Sequence, residues 1–254
     1  MNQFPNLPNK PLIEAIAEIK WGKESELDPG FEIVVGRLYE RLQAEYPEIE
    51  NLPILQVPPA MTIHMVRHRF RRKKEGWPLV QIGPGILTIN ETEAYQWNDF
   101  SSRVKSVLAK LYDAHPSRKS INISQLLLRY INAIEFDYLS QDLTAFLSKK
   151  MRTQISIPRE LFQQTHVREK PHGLSLQLTF PTETPRGFFH VGFGTGRKKD
   201  KLALVWELQM RSTSPDVPEM PSAFDAWLTS AHGLAEQWFF EIVKGELLES
   251  FLAK

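Results

Sequence analysis

LLLRYINAIEF, residues 126–136, decides how this chain is read. Leu126, Leu127 and Leu128 lead into Arg129-Tyr130-Ile131-Asn132 and then Ala133-Ile134-Glu135-Phe136, a run apolar and β-prone enough to predict a central strand. It stands near the midpoint of 254 residues, and the segments on either side of it follow the same order.

Upstream, LIEAIAEIKW (12–21) alternates Ile13, Ala15, Ala17 and Ile19 against Glu14, Ile16, Glu18 and Lys20, which predicts a first strand. Asp28 and Pro29 predict a helix start, with Asp as N-cap and Pro at the first helical position. Phe31, Val34, Val35, Leu38 and Leu42 then recur at helical spacing up to Pro47. Beyond Pro53, Pro58 and Pro59, a strand is predicted over 61–72 and a return strand over 79–82, joined by Glu75-Gly76-Trp77-Pro78. A turn at Gly83-Pro84-Gly85, a strand over 86–90 and a helix over 97–112 complete a β-α-β-β-β-α order.

Downstream, the pivotal strand is followed by a helix over 143–151, a short helical turn over 158–162 and strands over 173–180, 188–193 and 202–211. A long final helix is predicted to start at Ser222, with Asp225 three residues on as in a capping box. The expected architecture is α+β: lobes 1–120 and 121–254, each β-α-β-β-β-α, join their strands into an antiparallel sheet with helices on one face. The open sheet face, or the groove between lobes, is then the natural ligand or partner surface.

The apolar content of 42% and charged content of 24% are those of an ordinary globular chain, and no apolar run approaches the length needed to span a bilayer. The opening MNQFPNLPNKP lacks the basic region and apolar core of a secretory signal. Without cysteine there is no disulfide, thiolate nucleophile or Cys-based zinc site, and a cytoplasmic setting is expected. The net charge of +1 hides an uneven distribution: RHRFRRKK (67–74) holds six Arg and Lys and no acid, which leaves the rest of the chain at −5.

Several stretches resemble one family. Asn9-Lys10-Pro11-Leu12-Ile13-Glu14-Ala15 with Glu18-Ile19-Lys20-Trp21 is similar to its opening motif, although the family usually has a second proline where Lys10 stands. Val80-Gln81-Ile82-Gly83-Pro84, Leu87-Thr88-Ile89-Asn90 and Tyr95-x-Trp97-x-x-Phe100 resemble its middle signature, and Leu128-Arg129-Tyr130-Ile131-Asn132 its best-marked strand. His232, Ala235, Phe239 and the helix to Phe251 resemble its closing segment. The family is a sporadically distributed bacterial one of uncharacterised proteins, so the resemblance carries over no activity, cofactor or catalytic residue. Its patchy distribution is similar to that of mobile-element and defence genes, which implies an accessory role in antiviral or CRISPR-associated defence.

Candidate chemistry is read from the surfaces. On a strand, Arg67, Arg69 and Arg71 share one face, and with Arg72, Lys73 and Lys74 they suit phosphate or an acidic partner. The same run also reads as a solvated hairpin arm whose charges protect a sheet edge. Arg197, Lys198, Lys199 and Lys201 follow Gly192-Phe193-Gly194-Thr195-Gly196; no phosphate-loop motif is present, and a hairpin turn accounts for the glycines. If the halves repeat, the two basic segments occupy related positions and extend one positive surface. Arg129 and Asn132 point to opposite faces of the pivotal strand, and a buried Arg129 needs an acid such as Glu14, Glu18 or Glu135.

His64 and His68 are four apart on a strand, the other histidines are isolated, and neither a metal site nor a cofactor is expected. No Gly-x-Ser-x-Gly elbow marks a nucleophile. In the last helix Trp238 and Phe240 read either as core or as a docking surface. The leading expectation is a non-catalytic protein-interaction or accessory subunit with a partner encoded nearby. The alternative is nucleic-acid binding through 67–74 and 197–201, and a third reading is an enzyme with a pocket between the lobes.

Overall fold

A computed structural model describes residues 4–23, 26–58, 61–92, 94–118 and 121–253. Their nine strands are β1 (Leu12–Trp21), β2 (Glu48–Asn51), β3 (His68–Arg71), β4 (Leu79–Gly83), β5 (Ile86–Glu91), β6 (Ile123–Glu135), β7 (Ser175–Glu183), β8 (Arg186–Lys198) and β9 (Lys201–Thr213). The helices are α1 (Phe31–Leu42), α2 (Trp97–Ala114), α3 (Leu143–Lys150), α4 (Phe224–Val243) and α5 (Glu246–Leu252). The fold is α+β, and all strands join one antiparallel sheet in the order β2-β3-β4-β5-β1-β6-β9-β8-β7.

The stretch read first is β6, and it holds the middle of the sheet. Its pairing with β1 sets Ile16 opposite Arg129 and Ala17 opposite Leu128; on its other side Arg129 faces Gln209 of β9. Strand alternation then sorts the residues between two faces. Ala15, Ala17, Ile19, Trp21, Leu126, Leu128, Trp206, Leu208 and Met210 belong to one core with Val34, Leu38, Val104, Leu111, Leu228 and Ala231 of the helices. Glu14, Ile16, Glu18, Leu127, Arg129, Glu207 and Gln209 lie on the opposite, helix-free face.

The halves place their strands symmetrically about the β1–β6 seam: β5, β4 and β3 run outward on one side, and β9, β8 and β7 on the other. The first half carries a fourth outer strand that the sequence did not announce. β2 is only EIEN, polar and bracketed by Pro47 and Pro53, yet it pairs Glu50 with Arg69 and Glu48 with Arg71. The strand expected over 61–72 shrinks to His68–Arg71. His64 takes a left-handed backbone (φ 59°), and its N–H donates to the Pro84 carbonyl at 2.8 Å. The segment thus folds across the β4–β5 hairpin, where Gly83 admits the Met65 backbone that a side chain would exclude.

Two helix starts also differ from expectation. α1 begins at Phe31 with Gly30 as its N-cap, and Asp28 is used inside the molecule. Its Oδ1 accepts the Gly30 N–H at 2.8 Å, Oδ2 accepts Trp21 Nε1–H at 2.9 Å, and His115 Nε2 lies 3.2 Å from both oxygens. α4 has Ala223 at its N-cap and no side-chain cap, because the Ser222 hydroxyl turns back to the Glu219 carbonyl at 3.3 Å. The expected single C-terminal helix is broken at Gly245, whose φ of 107° is open to glycine, and continues as α5.

Candidate functional site

Where the halves meet on the helix side, a cavity of about 310 Å³ lies between the start of α2, the middle of α4, β6 and the N-terminal segment. Leu12, Tyr130, Asn132, Leu208 and Ala235, all buried, form its floor; Pro5, Asn6 and Gln96 are exposed at its mouth. The lead-in is held in place as a roof. Phe4 stacks on Phe240 with centroids 4.4 Å apart, Asn9 N–H donates to the Phe251 carbonyl at 3.1 Å, and Asn9 Nδ2 donates to the Ala253 carbonyl at 2.6 Å.

The polar groups form a connected chain. Tyr95 Oη is 2.9 Å from Tyr130 Oη, which is 3.0 Å from His232 Nδ1. Among the described residues, both phenol protons find an acceptor only if Tyr95 donates to Tyr130 and Tyr130 donates to Nδ1. That direction puts the imidazole proton on Nε2. Trp97 lies flat against the ring, with centroids 3.7 Å apart and planes 14° apart, and so fixes its orientation. Glu236, one helical turn along α4, has Oε1 3.9 Å from Nε2, too far for a hydrogen bond. Lys10 Nζ donates to the Tyr95 carbonyl at 2.6 Å.

Burial dominates the electrostatics here. It drives the Tyr130 and Tyr95 hydroxyls above the usual phenol range, pushes His232 down to about 4, raises the Glu236 carboxyl and lowers Lys10. At neutral pH both tyrosines are protonated and His232 is neutral. Asn132 is 3% exposed, and its Nδ2 has no hydrogen-bond partner among the described residues.

None of these groups was singled out from the sequence as a site. Tyr95 and Tyr130 are 35 residues apart, and Tyr130 and His232 are 102 apart. Two local signals were present: Tyr130 and Asn132 share one face of β6, and His232 and Glu236 share one face of α4. The stretches that carry the family resemblance at residues 9–15, 95–100, 128–132 and 232–239 all reach this cavity.

The basic run of residues 67–74 is divided among three environments. Arg67 is buried, with its guanidinium donating to Thr62 Oγ1 at 2.9 Å and to the Leu55 carbonyl at 3.1 Å. Arg69 and Arg71 lie on the helix-free face. There Arg69 Nε donates to Gln81 Oε1 at 2.7 Å and its NH1 reaches Glu50 Oε1 at 3.3 Å, while Arg71 Nε donates to Glu50 Oε2 at 2.7 Å. The Arg71 hydrogen bond leads the causes that hold Glu50 below the usual carboxylate range. Arg72, Lys73 and Lys74 are exposed in the β3–β4 turn.

The second basic segment surrounds the β8–β9 turn. Arg197 donates to the Asp200 carbonyl at 2.6 Å, Lys198 reaches the Ala133 carbonyl at 3.3 Å, Lys201 pairs with Glu135 at 2.8 Å, and Lys199 is exposed. The glycines Gly192, Gly194 and Gly196 are strand residues of β8, and the turn itself is Lys199-Asp200, both with positive φ. The two basic turns do not occupy equivalent places. β3–β4 corresponds about the seam to β7–β8, and β8–β9 to β4–β5. Strand register nonetheless brings both turns to the same end of the sheet, with β4 and β9 four strands apart, on the order of 20 Å.

Arg129 finds its acid on β9, at Glu207, and not at Glu14, Glu18 or Glu135. Trp238 is half-buried, its ring 5.5 Å from Phe180 and 5.1 Å from Phe189, and Phe240 is buried against Phe4 as part of the cavity wall. Among the described residues no cluster of His, Asp or Glu has metal-binding geometry, and no helix is long and apolar enough to cross a membrane.

Fold and site together describe an antiparallel α+β protein with a ligand-sized cavity between its halves. No protein-family model and no curated protein sequence matches the chain. Among solved structures, the Methanococcus jannaschii TBP is 12% identical with a TM-score of 0.26, over 89% of this chain and 99% of that one. The di-domain ARO/CYC StfQ from the steffimycin biosynthetic pathway is 8% identical with a TM-score of 0.23, over 94% of this chain and 98% of that one. Neither likeness reaches the level at which a shared fold or activity follows.

Proposed function

We propose that this chain is a small-molecule-binding protein and that the cavity between α2, α4 and β6 is its ligand site. One observation carries the reading: a hydrogen-bonded Tyr95–Tyr130–His232 chain and an unpaired Asn132 converge in an otherwise apolar, ligand-sized space. Apolar cavities with a few convergent polar groups are where proteins hold small molecules. In an accessory subunit, occupancy of such a cavity would report that molecule to a protein partner.

The test is native mass spectrometry of the purified protein, followed by a thermal-shift screen of small apolar compounds. Gln96→Trp at the exposed mouth and Ala235→Leu on the floor are expected to abolish the shifts seen with wild type while each variant still melts cooperatively. Compounds that stabilise the wild type and both blocked variants equally would place binding elsewhere and sink the reading.

A second reading, contact with nucleic acid or an acidic partner, is supported by the two basic turns standing at one end of the sheet. A triple variant Arg72→Glu, Lys73→Glu, Lys74→Glu is then expected to lose at least tenfold in affinity for a mixed-sequence oligonucleotide, and wild-type affinity to fall steeply between 50 and 200 mM salt, roughly as three to five phosphate contacts require. Binding that ignores both changes would exclude it.

A further inference from the structure

The cavity also specifies what it accepts, and this step rests on the binding reading above. Its polar groups are mostly donors. Asn132 Nδ2 points into the apolar floor with nothing to donate to. The His232 Nε2–H is left over once Nδ1 has taken the Tyr130 proton, and Glu236 stands too far away to receive it. Lys10 has donors beyond the one given to the Tyr95 carbonyl.

Formal charge is nearly balanced: Lys10 is the one cation among the lining residues, Glu236 the one carboxylate, and His232 and the two tyrosines are neutral. An anionic ligand would have to share the space with the Glu236 carboxylate, and a cationic one would meet Lys10. Neither charge has an unopposed counter-charge waiting for it. A buried donor without an acceptor, however, has already lost its water, so a ligand oxygen that meets it recovers a full hydrogen bond. The walls that would cover the rest of such a molecule are aromatic or aliphatic: Phe4, Trp97, Leu208, Phe239 and Phe240.

We infer that the ligand is an uncharged molecule with an apolar, ring-sized body and a carbonyl oxygen, and that Asn132 Nδ2 donates to that oxygen. A ketone, ester, amide or lactone head meets the requirement equally, because each presents the same sp² acceptor.

The inference is tested with four probes of one shape, 2-acetylnaphthalene, 2-ethylnaphthalene, 2-naphthoate and 2-naphthylmethylamine, titrated into the full-length protein by calorimetry. The ketone is expected to bind about tenfold more tightly than the hydrocarbon, the value of one well-placed hydrogen bond, and more tightly than either ion. In Asn132→Leu the ketone and hydrocarbon should bind alike, and the empty variant should melt no lower than wild type, since an unmet buried donor has been replaced by a side chain of similar volume. Asn132→Asp should reverse the preference and disfavour the ketone.

Naphthoate binding more tightly than the ketone would overturn the inference and show an anion site, and tighter naphthylmethylamine binding would show a cation site. Equal binding of ketone and hydrocarbon to wild type would remove Asn132 as the reader. In all three cases, loss of probe binding in Gln96→Trp leaves the cavity standing as the ligand site. Binding of no probe, or binding that Gln96→Trp leaves unchanged, overturns the inference together with the site reading on which it rests.

Discussion

An Asp28→Ala variant is expected to unfold about 3–5 kcal/mol more easily than wild type, a large part of the stability of an ordinary domain. Asp28 accepts the indole N–H of Trp21, the backbone N–H of Gly30 and the ring of His115. Ser117 N–H donates to His115 Nδ1 at 3.1 Å, so the His115 proton sits on Nε2 and faces the carboxylate. Trp21 and His115 are almost wholly buried, and removing the acid leaves their N–H groups desolvated and unmatched, each costing on the order of 1–3 kcal/mol. Asp28→Asn keeps one acceptor oxygen and should fall between the two. Denaturant midpoints at constant slope measure the difference, and a loss below about 1 kcal/mol would show that Asp28 is not the tie between β1, α1 and the end of α2.

The second large effect is on acid stability. The folded protein holds His232 neutral down to about pH 4, whereas the unfolded chain takes up the proton near pH 6.5. Above pH 6.5 this site makes no difference to stability against acid. As the pH falls from 6.5 to 4 the unfolded state gains a proton the folded state refuses, and about 3 kcal/mol is lost; below pH 4 the loss levels off. The Glu236 carboxyl, raised by burial, protonates first in the folded state and opposes part of this loss. Urea unfolding at pH 7 and pH 4.5 should therefore show a wild-type decline that His232→Gln largely removes, since glutamine can still accept the Tyr130 proton. Equal declines in the two proteins would mean that His232 does not resist protonation.

Residue patterns made most of the fold legible because each long strand carries its own alternation. β1 and β6 are buried on one face by Ala15, Ala17, Ile19, Leu126 and Leu128, and the periodicity of α1 and α2 is carried by side chains that do pack inward. What stayed hidden depends on partners. Nothing in EIEN marks a strand until Arg69 and Arg71 stand beside it, and nothing in residues 61–67 shows that Gly83 will receive them. RHRFRRKK reads as one basic surface, yet burial and Glu50 engage its first half, because alternation along β3 and the folding of the loop before it direct neighbouring arginines to different places. The cavity was least legible. Its tyrosines, histidine and glutamate each look like ordinary residues of their own element, and only the meeting of α2 with α4 above β6 makes them one group.

The β1–β6 seam has a consequence for any attempt to divide this protein. Each strand shields the other along its length, from Leu12 beside Asn132 to Trp21 beside Ile123. A polypeptide ending after α2, or one starting at β6, would present a long row of naked amides and carbonyls flanked by apolar side chains. Such fragments would seek any strand on offer, their own kind included, and would become well behaved only when mixed together. The two halves resemble interlocking parts more than modules on a string, and trimming one of them forfeits the solubility of what remains.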